Sequence, residues 1–144
     1  MSDKALVGIA GVHFVVGELA RRGWIALPTI RNTRGIDVLA TKENKDIQIQ
    51  VKTRNNSIRW PLTSRAEKLD NKNLFYVFVN LRENEAPEYF IIPSNVVSEY
   101  VTRTHKLFLD VGGLDSSIRA FPNAYDKGFD LDKYRGKWEL LEST

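Results

Sequence analysis

The chain contains no cysteine, which excludes disulfides and thiolate metal sites. It has only two histidines, His13 and His105, far apart in sequence, so a histidine-based metal centre or catalytic triad finds no basis here. No apolar run approaches the ~20 residues that a membrane helix needs, and the N-terminus shows no signal-peptide pattern. These absences lead to the expectation of a cytoplasmic protein with no membrane partner. Repeats, low-complexity tracts and linkers are also missing, so residues 1–144 are expected to form a single domain. The composition, 42% hydrophobic and 27% charged over 144 residues, is that of an ordinary globular domain able to bury a core.

The chemistry-bearing residues lie in Gly35-Ile-Asp-Val-Leu-Ala-Thr-Lys-Glu-Asn-Lys-Asp-Ile-Gln-Ile-Gln-Val-Lys-Thr53. From Asp46 to Lys52 polar and apolar residues alternate strictly, the two-residue period of a strand with one buried face. Ile47, Ile49 and Val51 share one side, and Gln48, Gln50 and Lys52 share the other. Ile36 to Thr41 reads as an antiparallel partner, joined through the polar Glu43-Asn44-Lys45 turn. With the turn centred on Asn44 and Lys45, Asp37 falls opposite Lys52. A carboxylate, an amide oxygen and an ammonium then meet on one face. Asp37, the Gln50 oxygen and a strand carbonyl are hard ligands suited to a divalent cation, and Lys52 can orient a water or offset charge developing on a phosphate. The same pattern also fits a surface hairpin whose opposite charges pair across strands.

Upstream, Lys4 to Arg22 reads as an amphipathic helix stopped by Gly23, with Trp24 and Ile25 opening a strand. Leu6, Ile9, Val12, Val16 and Leu19 give its expected core stripe. Glu18 has two readings: an i, i+4 surface pair with Arg22, or a further metal or water ligand reaching towards the hairpin.

Taken together, Gly17-Glu18, Arg22-Gly23-Trp24, the Gly35-Ile-Asp-Val segment holding Asp37, and Gln50-Val51-Lys52-Thr53 resemble the PD-(D/E)XK nuclease superfamily. Within it the chain looks like the small Holliday-junction-resolvase-like nucleases with a Gln-X-Lys motif. The resemblance implies a restriction-endonuclease-like α/β fold, a mixed central sheet flanked by helices. It also implies an endonuclease hydrolysing DNA phosphodiester bonds with Mg²⁺ or Mn²⁺. Glu18, Asp37, Gln50 and Lys52 would form the active site, and Asp37, Gln50 and Glu18 would hold the metal. The commoner family pattern has Glu where this chain has Gln50. An amide brings an oxygen without charge, so the metal should be held less tightly. A catalytically decayed nucleic-acid-binding or assembly module on the same fold is the alternative.

Charge supports a DNA partner. Residues 1–60 carry ten Lys/Arg against five Asp/Glu, and the remainder eleven against thirteen, so the half holding the hairpin is the basic half. Arg31, Arg34, Arg54 and Arg59 flank the hairpin and are the expected phosphate contacts. A nuclease cutting both strands needs two active sites, so a homodimer is expected. The rest of the chain reads as scaffold: a short helix from Ser64, strands Leu74–Leu81 and Glu88–Ile92, and a helix opening at Pro93-Ser-Asn. A terminal helix or turn from Asp130 should cover the sheet with Tyr134, Trp138, Leu140 and Leu141. The first helix is expected on one face of the sheet and the Ser64 helix on the other.

Overall fold

A computed structural model of the chain describes residues 3–30, 35–123, 126 and 128–143. Helix α1 spans Lys4–Arg21. It begins at Asp3, whose carboxylate accepts from the Ala5 N–H at 2.8 Å, an N-cap that satisfies one orphan donor. It ends at Gly23, which takes φ 92°. There the Trp24 N–H reaches the Leu19 carbonyl and the Gly23 N–H reaches Ala20, the paired bonds of a Schellman ending.

The strands are β1 (Ile25–Pro28), β2 (Val38–Lys42), β3 (Lys45–Asn55), β4 (Trp60–Thr63), β5 (Leu74–Arg82), β6 (Glu85–Pro93) and β7 (Ile118–Phe121). Five of them form one sheet in the order β1-β2-β3-β5-β6. It is mixed: β3 runs parallel to β5, and the other neighbours are antiparallel. Long β3 is its centre, buried on both faces, and β5 is the near-continuous apolar strand that such a position requires.

Two cores sandwich the sheet. On one side Val15 and Leu19 of α1 meet Val38, Ile47, Ile49, Val51, Val77 and Ile91. On the other, Tyr76, Phe78, Phe90 and Ile92 meet Trp60, Leu62 and Phe121, with Val97, Tyr100 and Val101 of helix α2 (Ser94–Asp110). This second layer differs from expectation. Ser64–Glu67 is a single 3-10 turn, too short to cover a face. The cover comes from α2 and a two-stranded ribbon, β4 with β7. Four-residue strands, one interrupted by Pro61, carry too little periodicity to be read locally.

The α1 core face also differs from the expected stripe. Gly11, Val15 and Leu19 are buried, whereas Leu6 and Ile9 are 63% and 54% exposed. Ile9 stands about 200° round the helix from Gly11, so both cannot face the sheet. Near the C-terminus, Leu131–Tyr134 and Trp138–Glu142 are 3-10 turns. Trp138 and Leu141 are buried against the α1-side core, while Tyr134 packs on the opposite one. No helix among the described residues is long and apolar enough to cross a membrane.

Candidate active site

The β2–β3 hairpin closes at Lys42 and Lys45 over Glu43-Asn44, with Glu43 at φ 55°. The register pairs Val38 with Ile49; Asp37, one residue before β2, donates its N–H to the Ile49 carbonyl and accepts at its carboxylate from the Val51 N–H. The expected partner was Lys52. The shifted register leaves every β3 side chain on its own face, so Gln50 and Lys52 share the face away from α1, while Asp37 lines a cavity walled by α1. Across the parallel β3–β5 ladder, Gln50 stands beside Tyr76 and Lys52 beside Phe78.

Asp37 is held firmly. Its N–H donates to the Ile49 carbonyl and its own carbonyl accepts from Thr29, each at 2.9 Å. Its Oδ2 accepts from the Val51 N–H at 2.8 Å. Burial nevertheless raises its carboxyl above the usual range, outweighing that hydrogen bond and the nearby charge of Lys52, which both lower it. Lys52 mirrors this: burial lowers its ammonium, the Asp37 charge opposes that, and the Arg65 charge adds to it. Asp37 and Lys52 thus act on each other through space, with no contact ion pair between them among the described residues.

Gln50 is 9% exposed, and its Oε1 is buried with no hydrogen-bond partner among the described residues. A Cβ at Gly35, which has φ 76°, would stand 3.3 Å from Gln50 Nε2. The glycine therefore gives the amide its room. An orphaned buried acceptor costs about 1–3 kcal/mol unless something satisfies it. A hard cation would do so, with Asp37 beside it as the anionic ligand. The donor set is sparse: no group of three or more His, Asp or Glu side chains gathers among the described residues. It suits an ion such as Mg²⁺ that keeps several waters and relies on one or two carboxylates plus substrate phosphate.

Asp37 lines a cavity of about 740 Å³ together with Gly35, Val51 and Arg65. Its α1 wall consists of Lys4, Ala5, Gly8, Ile9, Val12 and His13, none of them a carboxylate. Glu18, expected to reach this site, is not part of that wall. It binds Arg21 at 3.0 Å and Arg22 at 2.7 Å and bears electrostatically on Tyr89 of β6. Arg22 in turn stacks 4.8 Å above the Trp138 ring. From Val12 to Glu18 is about 9 Å along the axis and 120° round it, which carries Glu18 away from Asp37. The i, i+4 surface pairing is what the structure displays.

Among the expected phosphate contacts, Arg54 and Arg59 are exposed. Arg54 donates to the Arg59 carbonyl at 3.3 Å and lines a neighbouring cavity of about 500 Å³ with Lys4, Lys52, Thr53 and Trp60. Arg31 and Arg34 lie outside the described residues. Arg65 and Lys4 were not anticipated. Arg65 reaches the cavity because β4 and the turn after it fold back beside β3, a long-range arrangement with no local sequence signal.

No protein-family model matches the chain, and no curated protein matches it. Solved structures do. A bacterial homing endonuclease, I-Ssp6803I, superposes with a TM-score of 0.59 at 17% identity, covering 99% of this chain and 94% of its own. Hjc of Archaeoglobus fulgidus, a Holliday junction resolvase, gives a TM-score of 0.49 at 12% identity over 88% and 86% of the two chains. At such identities the first likeness is one of architecture. The mixed five-stranded sheet with its flanking helices is a restriction-endonuclease-like fold.

Proposed function

We propose that the chain is a divalent-metal-dependent endonuclease acting on DNA, with Asp37 and Gln50 as the metal-holding pair and Lys52 as the phosphate-facing cation. The observation that supports this reading is the buried Gln50 Oε1, without a hydrogen-bond partner among the described residues, one position along β3 from Val51, whose N–H holds the Asp37 carboxylate. Bound there, a divalent cation would supply Lewis acidity towards a phosphodiester oxygen and a lowered pKa for an attacking water. Asp37 fixes the anionic ligand, its Oδ2 anchored by the Val51 N–H. Lys52, half-buried two residues along β3 from Gln50 on the same face, would place a positive charge where the pentacovalent phosphate becomes more negative. Such a charge acts more on the transition state than on the bound substrate. Arg54 and Arg59 supply phosphate contacts that set affinity, and two copies of the chain would present two active sites to a duplex. The absence of a carboxylate from the α1 wall, with an amide at Gln50, favours a second reading, a DNA-binding module that has lost its chemistry.

Cleavage of supercoiled, linear, single-stranded and four-way-junction DNA with Mg²⁺, Mn²⁺ or chelator separates the two. Lys52→Ala is expected to lower the cleavage rate by about 10²-fold or more, with DNA affinity changed by less than about threefold. Binding without cleavage of any substrate by the wild type would select the binding module. Failure to bind or cut would reject both.

A further inference from the structure

Among the residues lining the Asp37 cavity, Arg65 comes from a turn remote in sequence from α1, β1 and the hairpin. Its backbone, the single turn Ser64–Glu67, is fastened from several directions. Ala66 is 3% exposed in the second core. The Glu67 carboxylate accepts from Arg119 Nε at 2.6 Å, and the Glu67 carbonyl accepts from Ser98 Oγ of α2 at 2.5 Å. Arg119 is itself buried and donates to the Ser116 and Ile118 carbonyls. A surface turn of four residues is thus tied to α2 and to β7, which holds the root of Arg65 in place beside the cavity.

The guanidinium is left uncompensated. Arg21, Arg22, Arg82, Arg103, Arg119 and Arg135 each pair with a carboxylate. Arg54, Arg59 and Arg65 pair with none among the described residues, and all three fall between Lys52 and Ala66. Of these, Arg65 is the one that lines the cavity holding Asp37. Lys4 lines both that cavity and the neighbouring one shared by Lys52 and Arg54.

We propose that Arg65 clamps a phosphodiester entering the Asp37 cavity, gripping a non-bridging oxygen from the turn after β4, while Lys52, which lines the neighbouring cavity, faces the same strand from β3. The clamp rests on the nuclease reading and extends it to a residue outside the hairpin and α1. Asp37 is the one carboxylate lining this cavity and is held by the Val51 N–H, and the Arg65 guanidinium has no ion pair with it or with any other described carboxylate. A phosphodiester beside Arg65 supplies the anion that the guanidinium lacks, and the planar group can grip it through two parallel N–H···O bonds. Lys4 then meets the neighbouring phosphate of the same strand, and Arg54 and Arg59 lie further along its path.

The test compares wild type, Arg65→Ala, Arg65→Lys and Lys72→Ala, the last an exposed cation that lines neither cavity. A labelled duplex is cut in Mn²⁺ and its binding is measured in Ca²⁺ at several salt concentrations. Arg65→Ala is expected to lower kcat/KM by about 10²-fold, more through kcat than through KM. It should also reduce the logarithmic salt slope of binding by about one. Arg65→Lys should recover part of the rate, because it keeps the charge and loses the fork. Lys72→Ala should match wild type, and Arg65→Ala should keep the wild-type melting temperature. An active wild type whose rate and salt slope survive Arg65→Ala overturns the clamp alone and leaves the nuclease reading standing. For a wild type that binds and does not cut, an unchanged salt slope overturns the clamp and a reduced one supports it. A wild type that neither binds nor cuts overturns both readings together.

Discussion

Gln50 brings an oxygen into the site without bringing charge, and that choice sets a balance between stability and metal affinity. Asp37 already bears a desolvated carboxylate, its pKa raised by burial. Gln50→Glu adds a second carboxylate on β3 next to Val51, whose N–H holds the Asp37 carboxylate. Like charges at this spacing push both pKa values up, and the sign of the effect follows. Groups whose folded pKa exceeds the unfolded value contribute stability that is full below the unfolded value and lost as pH rises through the folded one. Without metal, the variant should therefore melt below wild type at pH 8, with the gap closing as pH falls towards 4. Mn²⁺ or Mg²⁺ should close or reverse the gap at pH 8, because the added charge tightens the site by about tenfold or more. Thermal melts of both proteins across pH, with and without metal, and calorimetric titration check this. Equal metal affinity in the two would remove Gln50 from the ligand set.

At the scale of elements, the cavity depends on how closely α1 lies on β3, and Gly11 sets that approach. A Cβ there would stand 1.8 Å from Thr53 Oγ1, 2.8 Å from its Cβ and 2.9 Å from its Cγ2. Rotating the Thr53 side chain cannot relieve the contact with its own Cβ. Gly11→Ala must push the helix away from the strand, and the overpacking should cost about 2 kcal/mol, or roughly 8 °C in melting temperature. Gly8 and Val12 are part of the cavity wall, so any metal affinity and cleavage should fall with it. Gly11→Ala/Thr53→Ala should recover some stability but not all, since the Thr53 Cβ position remains. Scanning calorimetry of the single and double variants reads this, and a Gly11→Ala protein as stable as wild type would contradict the close contact.

Across the whole molecule, tyrosines pack on both faces of the sheet, Tyr76 buried and Tyr89 partly buried. Tyr76 is 1% exposed within the layer under α2, and Tyr89 packs against the α1-side core. Burial pushes both hydroxyls up to about 12. An unfolded tyrosine ionises near 10, so between these values the folded chain holds protons that the unfolded chain releases. The resulting stability is complete below pH 10 and disappears as pH rises through about 12. Urea unfolding from pH 9 to 12 should show this alkaline loss, and Tyr76→Phe should reduce it by about 2 kcal/mol. Parallel pH profiles for the two proteins would contradict it. Charge is also a property of the whole chain. The basic excess lies in residues 1–60, the part that contains β3 and α1, and Lys4 from that part lines the cavity.

Much of this was legible residue by residue. The alternation from Asp46 to Lys52 determined that Gln50 and Lys52 share a face, because strand side chains repeat every two residues whatever the partner. The apolar run from Leu74 determined a strand covered on both sides, and Gly23 determined where α1 stops. Each of these signals is carried by neighbours a few positions apart. Tertiary structure decided the rest. The hairpin turn closed one residue earlier than its polar composition suggested, pairing Val38 with Ile49 and setting Asp37 against Ile49 and Val51 instead of Lys52. The orientation of α1 was decided by the close fit of Gly11 on Thr53, which turned Ile9 outward and carried Glu18 towards Tyr89. Arg65, β4 and β7 came together through pairings between segments far apart in the chain, a kind of information that local periodicity does not hold.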